Sequence, residues 1–417
     1  MIRRSLLDDI YKYIDRDEII AIKWARQTGK TTILKYIQED LNSQWEQTIF
    51  LNADDIDHKE IFSSPFHLIS YMKQFLDFDK KIYLFVDEFQ YIDQAWLFLK
   101  NIFDKYKWKI KILVSGSSTL EITKNTEFLT GRIIEFYNFP VSFKEYFFYK
   151  SKIKNLSFSL ENFHDLEIFY DLQKTYLEKL FMEYLSYGGY PAVLTENNYE
   201  IKKNILKNIT NIYIKKDIIN LLKIENITGF NNLLKILASQ IWNLLNKLNI
   251  SNSIDLSKDT IVKYLDILEN TFIINIVKPF YKNTKKELSK MPKVFFEDLW
   301  IRNVVIWEVE WIKEKIDIGD EVENFVYNEL SRKYDKDNLF FYRTVSKAEI
   351  DFVIENSYDN YSIIEVKYRN KVWKINIFKK FSDKYYTNRK IVFTKKTLKY
   401  DGDTYYIPSC LVGFVGL

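Results

Sequence analysis

An α/β fold built on a parallel sheet is predicted by three observations near the N-terminus. Residues 18–23 are a short apolar run suited to a buried strand, and residues 31–41 carry the apolar spacing of a helix. Residues 82–86 form a second, near-continuous apolar run that ends in Asp87-Glu88, as a buried parallel strand delivers carboxylates to its C-terminal edge. Residues 109–114 form a third, running into the polar stretch Ser115-Gly116-Ser117-Ser118.

The first strand and its helix are joined by Arg26-Gln27-Thr28-Gly29-Lys30-Thr31-Thr32. Gly-Lys-Thr at a strand-to-helix junction is the phosphate-gripping pattern of a P-loop. Backbone N–H groups of residues 28–31 and the helix N-terminus would cradle the β-phosphate of ATP, and Lys30 would reach the β- and γ-phosphates. The Thr31 hydroxyl would hold Mg²⁺, with Arg26, Gln27 and Thr32 completing the stretch along the nucleotide. One letter departs from the pattern: its first glycine falls at position 24, which is Trp24.

In the second strand, Asp87 would hold Mg²⁺ through water and Glu88 would polarise the attacking water. At the end of the third, Ser115 or Ser117 would sense the γ-phosphate. Leu129-Thr130-Gly131-Arg132 then precedes an apolar segment over residues 133–139. Arg132 reads either as an arginine finger acting on a neighbouring subunit, which requires self-association, or as a solvated surface side chain.

Residues 156–236 read as amphipathic helices interrupted at Tyr187-Gly188-Gly189-Tyr190-Pro191. Residues 249–280 have another rhythm: a polar turn, Ser257-Lys258-Asp259-Thr260 capping an apolar helix, then a β-rich run. That order suggests a winged helix with Lys258, Thr260 and Lys263 on its candidate recognition helix, serving DNA contact or acting as a lid or protein-contact element.

Towards the C-terminus, residues 348–354 and 362–368 alternate as half-buried strands. Period-2 geometry puts Glu365 and Lys367 on one face, and pairing can bring Asp351 beside them, giving the D…E-x-K arrangement of restriction-type nucleases. Glu323, on a helix predicted over residues 320–333, would supply a further carboxylate. Such carboxylates would bind Mg²⁺ while Lys367 stabilises the charged phosphoryl centre. The same alternation also makes ordinary cross-strand ion pairs. Tyr342 and Arg343 would either clamp a nucleic acid or form a plain strand edge.

The order of these motifs resembles the AAA-type ATPases of bacteria and archaea that carry a C-terminal domain of uncharacterised function. The resemblance rests on Val86-Asp87-Glu88-Phe89-Gln90, Phe139-Pro140-Val141-Ser142-Phe143-Lys144-Glu145-Tyr146, the Tyr187 to Pro191 motif, Lys216-Asp217-Ile218, Lys293-Val294-Phe295-Phe296-Glu297-Asp298 and Glu323-Asn324-Phe325-Val326. It implies a P-loop ATPase core over residues 1–150, a helical lid and linker over 151–236, a winged-helix-like segment over 237–295 and a nuclease-like α/β domain over 296–417. It also implies glycine at the positions of Trp24, Trp242 and Trp300.

The chain has 10 glycines and 9 tryptophans in 417 residues, where ordinary usage would give roughly thirty glycines. Glycine would also suit the turns at Trp108 and Trp373. Two readings fit this pattern: the gene reads UGA as glycine and the chain was translated with UGA as tryptophan, or these are genuine tryptophans in a divergent homologue. On the first reading, an indole at position 242 or 300 would have to be overpacked or exposed.

A 47% hydrophobic content suffices for several cores, and the sequence shows neither an apolar run long enough for a membrane span nor a signal-peptide core, so a cytoplasmic enzyme is expected. A lone cysteine excludes an internal disulfide, three scattered histidines offer no zinc site, and a net charge of +4 does not by itself demand a nucleic-acid partner. Three functions fit: an ATP-hydrolysing machine coupled to a DNA-acting nuclease-like domain, a nucleotide-switched scaffold with an inactive nuclease fold, and an ATPase silenced by Trp24.

Overall fold

The computed structural model describes residues 2–23, 27–116, 131–153, 155–213, 224–241, 243–281, 291–306, 318–344, 346–369 and 375–416. They form two compact units, Met1–Pro140 and Val141–Leu417. This differs from the four segments expected. The boundary placed after residue 150 falls inside helix Phe143–Ser151, whose Phe143 ring packs edge-on against Phe181, Tyr184 and Phe325 of the second unit.

In the first unit, strands β1 (Ile19–Lys23), β2 (Gln47–Asn52), β3 (Ile82–Asp87), β4 (Ile110–Gly116) and β5 (Ile133–Tyr137) form a parallel sheet in the order β2-β3-β4-β1-β5. The runs of β1, β3 and β4 are buried throughout because both faces of the sheet are covered. Helices α1 (Leu6–Tyr11) and α2 (Lys30–Ser43) supply Leu7, Ile10, Ile33, Leu34 and Ile37 to one face, where they meet Ile20, Ile22 and Phe85. Helices α3 (Pro65–Met72) and α4 (Ala95–Tyr106) supply Leu68, Met72, Leu99 and Ile102 to the other, against Leu84, Val86 and Ile112. Each such side chain, fully buried, contributes about 1.5–3 kcal/mol. The strand order matters for chemistry. Because β4 lies between β1 and β3, the end of β4 stands between the phosphate loop and the acidic strand end.

The second unit begins with α5 (Phe143–Ser151), opened by a reciprocal capping box between Ser142 and Glu145. A short strand β6 (Phe158–Ser159) precedes the long α6 (Phe163–Tyr187), then α7 (Pro191–Thr195), α8 (Tyr199–Thr210) and α9 (Ile227–Ser239). Helices α10 (Lys247–Ile254) and α11 (Lys258–Asn270) are followed by an antiparallel pair, β7 (Ile274–Val277) with β8 (Lys293–Phe296). Leu244 bridges to Lys293 on the outer side of β8. Next come α12 (Leu299–Val305) and α13 (Gly319–Ser331), the latter close to the helix expected at residues 320–333.

The C-terminal sheet comprises β9 (Leu339–Arg343), β10 (Glu349–Ser357), β11 (Asn360–Lys367), β12 (Thr387–Thr394), β13 (Lys399–Tyr400) and β14 (Thr404–Pro408), in the order β13-β14-β12-β11-β10-β9. It is mixed: β9, β10 and β11 are antiparallel, and β11, β12 and β14 are parallel. Helix α14 (Asn376–Ser382) covers one face with Ile377, Phe378 and Phe381, while β15 (Val415–Gly416) pairs with β6.

Trp300 is fully buried in α12, edge-on to Tyr190 at 4.8 Å. It is therefore not exposed, although its indole N–H has no hydrogen-bond partner among the described residues. Trp24 and Trp242 lie outside the described residues.

Candidate functional site

Gly29 is the cap of α2 and adopts φ +95°, a left-handed conformation that glycine takes at no steric cost. Gln27 before it is also left-handed, at φ +64°. The loop thereby turns its backbone across the start of α2, with Lys30 and Thr31 in the first turn. Thr28 is completely buried and Lys30 nearly so.

Across the gap, β3 ends in Asp87. The Thr31 hydroxyl donates to Asp87 Oδ2 at 2.6 Å, and the Ser115 hydroxyl at the end of β4 donates to Asp87 Oδ1. The Glu88 amide donates to Asp87 Oδ1 as well, at 3.1 Å. Glu88 turns out of the strand with φ +52° and accepts a hydrogen bond from Gln90 Nε2 at 2.5 Å. The structure thus unites Gly29, Lys30, Thr31, Asp87, Glu88 and Ser115 at the C-terminal edge of one sheet. Ser115 belongs to the strand itself rather than to a polar tip beyond it. Arg26 and Ser117 lie outside the described residues, and Thr32 is exposed on α2.

Arg132 stands elsewhere. Its carbonyl accepts from Ile19 N, at the start of β1, so it occupies the N-terminal edge of the sheet, roughly 16 Å of strand from the loop. Its Nε donates to Asp104 at 2.8 Å, and with Arg16, Glu18 and Lys107 it lines an open cavity of about 740 Å³. It cannot reach the phosphate loop of its own chain.

Two residues that sequence reasoning missed brace the loop. Asn138 Nδ2 donates to Thr28 O at 3.1 Å, and Arg4 Nη1 donates to the same carbonyl at 3.3 Å. Neither carries a motif; the fold alone brings them there.

In the second unit, β10 and β11 pair so that Asp351 lies one step beyond the Phe352–Ile364 pair and faces Glu365. Asp351 Oδ2 accepts from Val366 N at 2.7 Å, and Glu365 Oε2 accepts from Asp351 N at 3.3 Å. Lys367 Nζ lies 2.5 Å from Glu365 and 4.0 Å from Asp351. Glu323, from α13, joins the cluster through another cation: Lys293 of β8 bridges it, at 3.1 Å, to Glu349. Burial, reinforced by the charge of Asp351, pushes both Glu323 and Glu365 up to about 8. Burial opposes charge on Lys293, but Glu323, Asp351 and Glu349 outweigh it and raise its pKa. Among the described residues, no three acidic, histidine or cysteine side chains converge on one cation position. Tyr342 packs against Phe381 at 5.0 Å and Arg343 pairs with Glu349 at 3.2 Å, both on β9 at the edge of the sheet.

The chain was compared with known families and proteins. A family described as AAA domain matches residues 16–147, the stretch that holds the loop, Asp87 and Ser115. Residues 16–147 are an AAA-type P-loop domain. Domains of unknown function match residues 178–307 (DUF8612) and 318–411 (DUF4143). An uncharacterised protein of Haemophilus influenzae is 26% identical over 84% of this chain and 83% of its own. An uncharacterised protein of Methanocaldococcus jannaschii is 24% identical over 97% of this chain and 86% of its own. Among solved structures, RuvB of Thermotoga maritima aligns at TM-score 0.31 and 12% identity, covering 69% of this chain and 94% of that one. AMPPCP-bound DnaA from Aquifex aeolicus aligns at TM-score 0.31 and 13% identity, covering 75% and 93%. No helix among the described residues is long and apolar enough to cross a membrane.

Proposed function

We propose that this chain binds and hydrolyses ATP at the edge where α2, β3 and β4 meet, and that the hydrolysis drives or gates a nuclease-like domain acting on DNA. The observation that carries the first half is the 2.6 Å contact between Thr31 and Asp87, with Ser115 on the other carboxylate oxygen. A hydroxyl and a carboxylate brought together beside a P-loop are the donor set for Mg²⁺, so Thr31 and Asp87 fit that ion. When bound, Mg²⁺ neutralises charge on the β- and γ-phosphates. Lys30 supplies the cation from the protein side, Glu88 orients the attacking water, and Ser115 reports the state of Asp87.

The second half rests on Asp351, Glu365 and Lys367, which the sheet brings within ion-pair distance. The two carboxylates suit a divalent cation, and Lys367 suits the charge of a phosphodiester under attack. A second reading, recognition without cleavage, is favoured by one observation: Lys293 already pairs with both Glu323 and Glu349. The order α9, Leu244 bridge, α10, α11, β7 and β8 supports a winged helix. The exposed positions of α11 alternate Lys258 and Lys263 with Asp259 and Asp266, a balanced face that suits a protein partner better than phosphate.

Nicking of supercoiled plasmid in Mg²⁺ or Mn²⁺ separates the readings. Cleavage lost in Asp351→Asn and in Lys367→Ala, with both variants folded, supports the nuclease. Cleavage surviving both changes places it elsewhere, and its absence on duplex, single-stranded and branched DNA favours recognition alone.

A further inference from the structure

A P-loop works only if its amides face the phosphates, and nothing in a Gly-Lys-Thr motif by itself ensures that. The Thr28–Gly29 peptide is trans, as are all peptides among the described residues, so the Thr28 carbonyl and the Gly29 N–H point in opposite directions. Whatever fixes the carbonyl outward fixes the N–H inward. Two side chains do so: Arg4 Nη1 at 3.3 Å and Asn138 Nδ2 at 3.1 Å, both nearly inaccessible to solvent. Each is itself anchored. Arg4 Nη2 donates to Phe139 O at 2.5 Å and to Pro140 O at 3.4 Å, while Asn138 N donates to Lys23 O at 2.9 Å, at the end of β1. Asn138 Nδ2 also lies 3.3 Å from the Thr28 hydroxyl.

We propose that Arg4 and Asn138 are positioning residues for the nucleotide, clamping the Thr28 carbonyl so that the Gly29 N–H is presented to the β-phosphate before ATP arrives. The assignment rests on the ATP reading above. A guanidinium is needed at position 4 because one planar head must reach carbonyls on both the loop and the 139–140 segment, which a lysine ammonium spans poorly. The test is titration with a fluorescent ATP analogue and steady-state hydrolysis, using the full chain. Arg4→Met and Asn138→Ala should each raise the Kd, and the KM for ATP, by about 10-fold, the size of one lost charge-assisted or buried hydrogen bond. Arg4→Lys should recover part of the affinity, and kcat at saturating ATP should fall less than kcat/KM. Parental affinity in both Arg4→Met and Asn138→Ala overturns the assignment. If Arg4→Met does not fold, Asn138→Ala carries the same decision. A parent that binds no nucleotide at all overturns the ATP reading itself, a separate outcome.

A different observation carries a second inference. After α2, Glu46 N bonds to Leu41 O and Trp45 N to Asn42 O, both at 3.1 Å, the pair of bonds of a Schellman helix stop. Its left-handed position favours glycine, and Trp45, 95% exposed, occupies it at φ +63°. We infer that Trp45 stands at a position built for glycine, as a UGA codon read as glycine in the source would produce. Lys152 and Phe272 are also left-handed, so the codon decides rather than the torsion. UGA at codon 45 is the expected result, and UGG there overturns the inference. On the protein, Trp45→Gly should raise Tm by about 3 °C, whereas Trp45→Ala, which keeps a Cβ, should not. Equal Tm in the two variants would mean that the position has no need of glycine.

Discussion

Asp87 takes hydrogen bonds from Thr31, Ser115 and Glu88 N, so its two oxygens are already committed to the elements that flank the phosphate loop. A carboxylate held this way is oriented before any ligand arrives, and small changes around it should separate binding from turnover. If Lys30 grips the phosphates as proposed, Lys30→Ala removes that cation, and titration with an ATP analogue should show binding lost. If Glu88 polarises the attacking water as proposed, Glu88→Gln should bind ATP and stall; a phosphate-release assay with either variant at the parental rate would mean the site is misassigned. Position 24 lies outside the described residues; if it is the first glycine position of the phosphate loop, as the motif spacing implies, Trp24→Gly should increase ATP affinity at least several-fold, since a tight turn there would strain an indole-bearing residue by about 1–3 kcal/mol. Comparable affinity with Trp24 and with glycine would remove the steric argument.

At the scale of elements, the carboxylates of α13, β10 and β11 make the C-terminal sheet sensitive to pH. Glu323 and Glu365 titrate near 8, well above the ordinary 4.5, because both are buried beside Asp351. The folded state therefore holds protons that the unfolded chain releases from about 4.5 upward. Their contribution to stability is complete below that value and is lost as pH rises through about 8. Thermal unfolding monitored between pH 5.5 and 8.5 should show Tm falling with pH, less steeply in Glu323→Gln and Glu365→Gln; three parallel profiles would contradict the buried-carboxylate account. Elements of this kind were legible where one local signal decides. The runs that became β1, β3 and β4 are apolar because the sheet is covered on both faces, and Ser257 announced α11 through its bond to Thr260 N. What was not legible came from distance in sequence. Arg4 reaches Thr28 and Lys293 reaches Glu323 only because the chain folds back, and no spacing rule connects such pairs. Distance in sequence also hid the neighbours of Phe143, whose ring belongs to an aromatic cluster with Phe181 and Phe325, far along the chain.

At the scale of the whole molecule, the parallel sheet has a polarity, and that polarity makes a demand on assembly. The phosphate loop follows the C-terminal end of β1, while Arg132 sits beside its N-terminal end, paired with Asp104 over an open cavity. One chain cannot bring the two together. If Arg132 supplies charge to a transferring phosphoryl group, it must do so for a second copy, and the copies must stack so that the N-terminal edge of one sheet meets the C-terminal edge of the next. Such head-to-tail contacts are heterologous and close into rings or extend into filaments. Hydrolysis per chain should then rise with protein concentration, in step with self-association seen by light scattering in ATP. Arg132→Ala should depress kcat by a factor on the order of 10³ with little change in affinity. Mixing Arg132→Ala with a Lys30→Ala chain should restore turnover, since each supplies what its neighbour lacks: the first has an intact loop, the second an intact arginine. A protein that stays monomeric in ATP while hydrolysing it at full rate, or a mixture no more active than its parts, would return Arg132 to the role of a surface partner for Asp104.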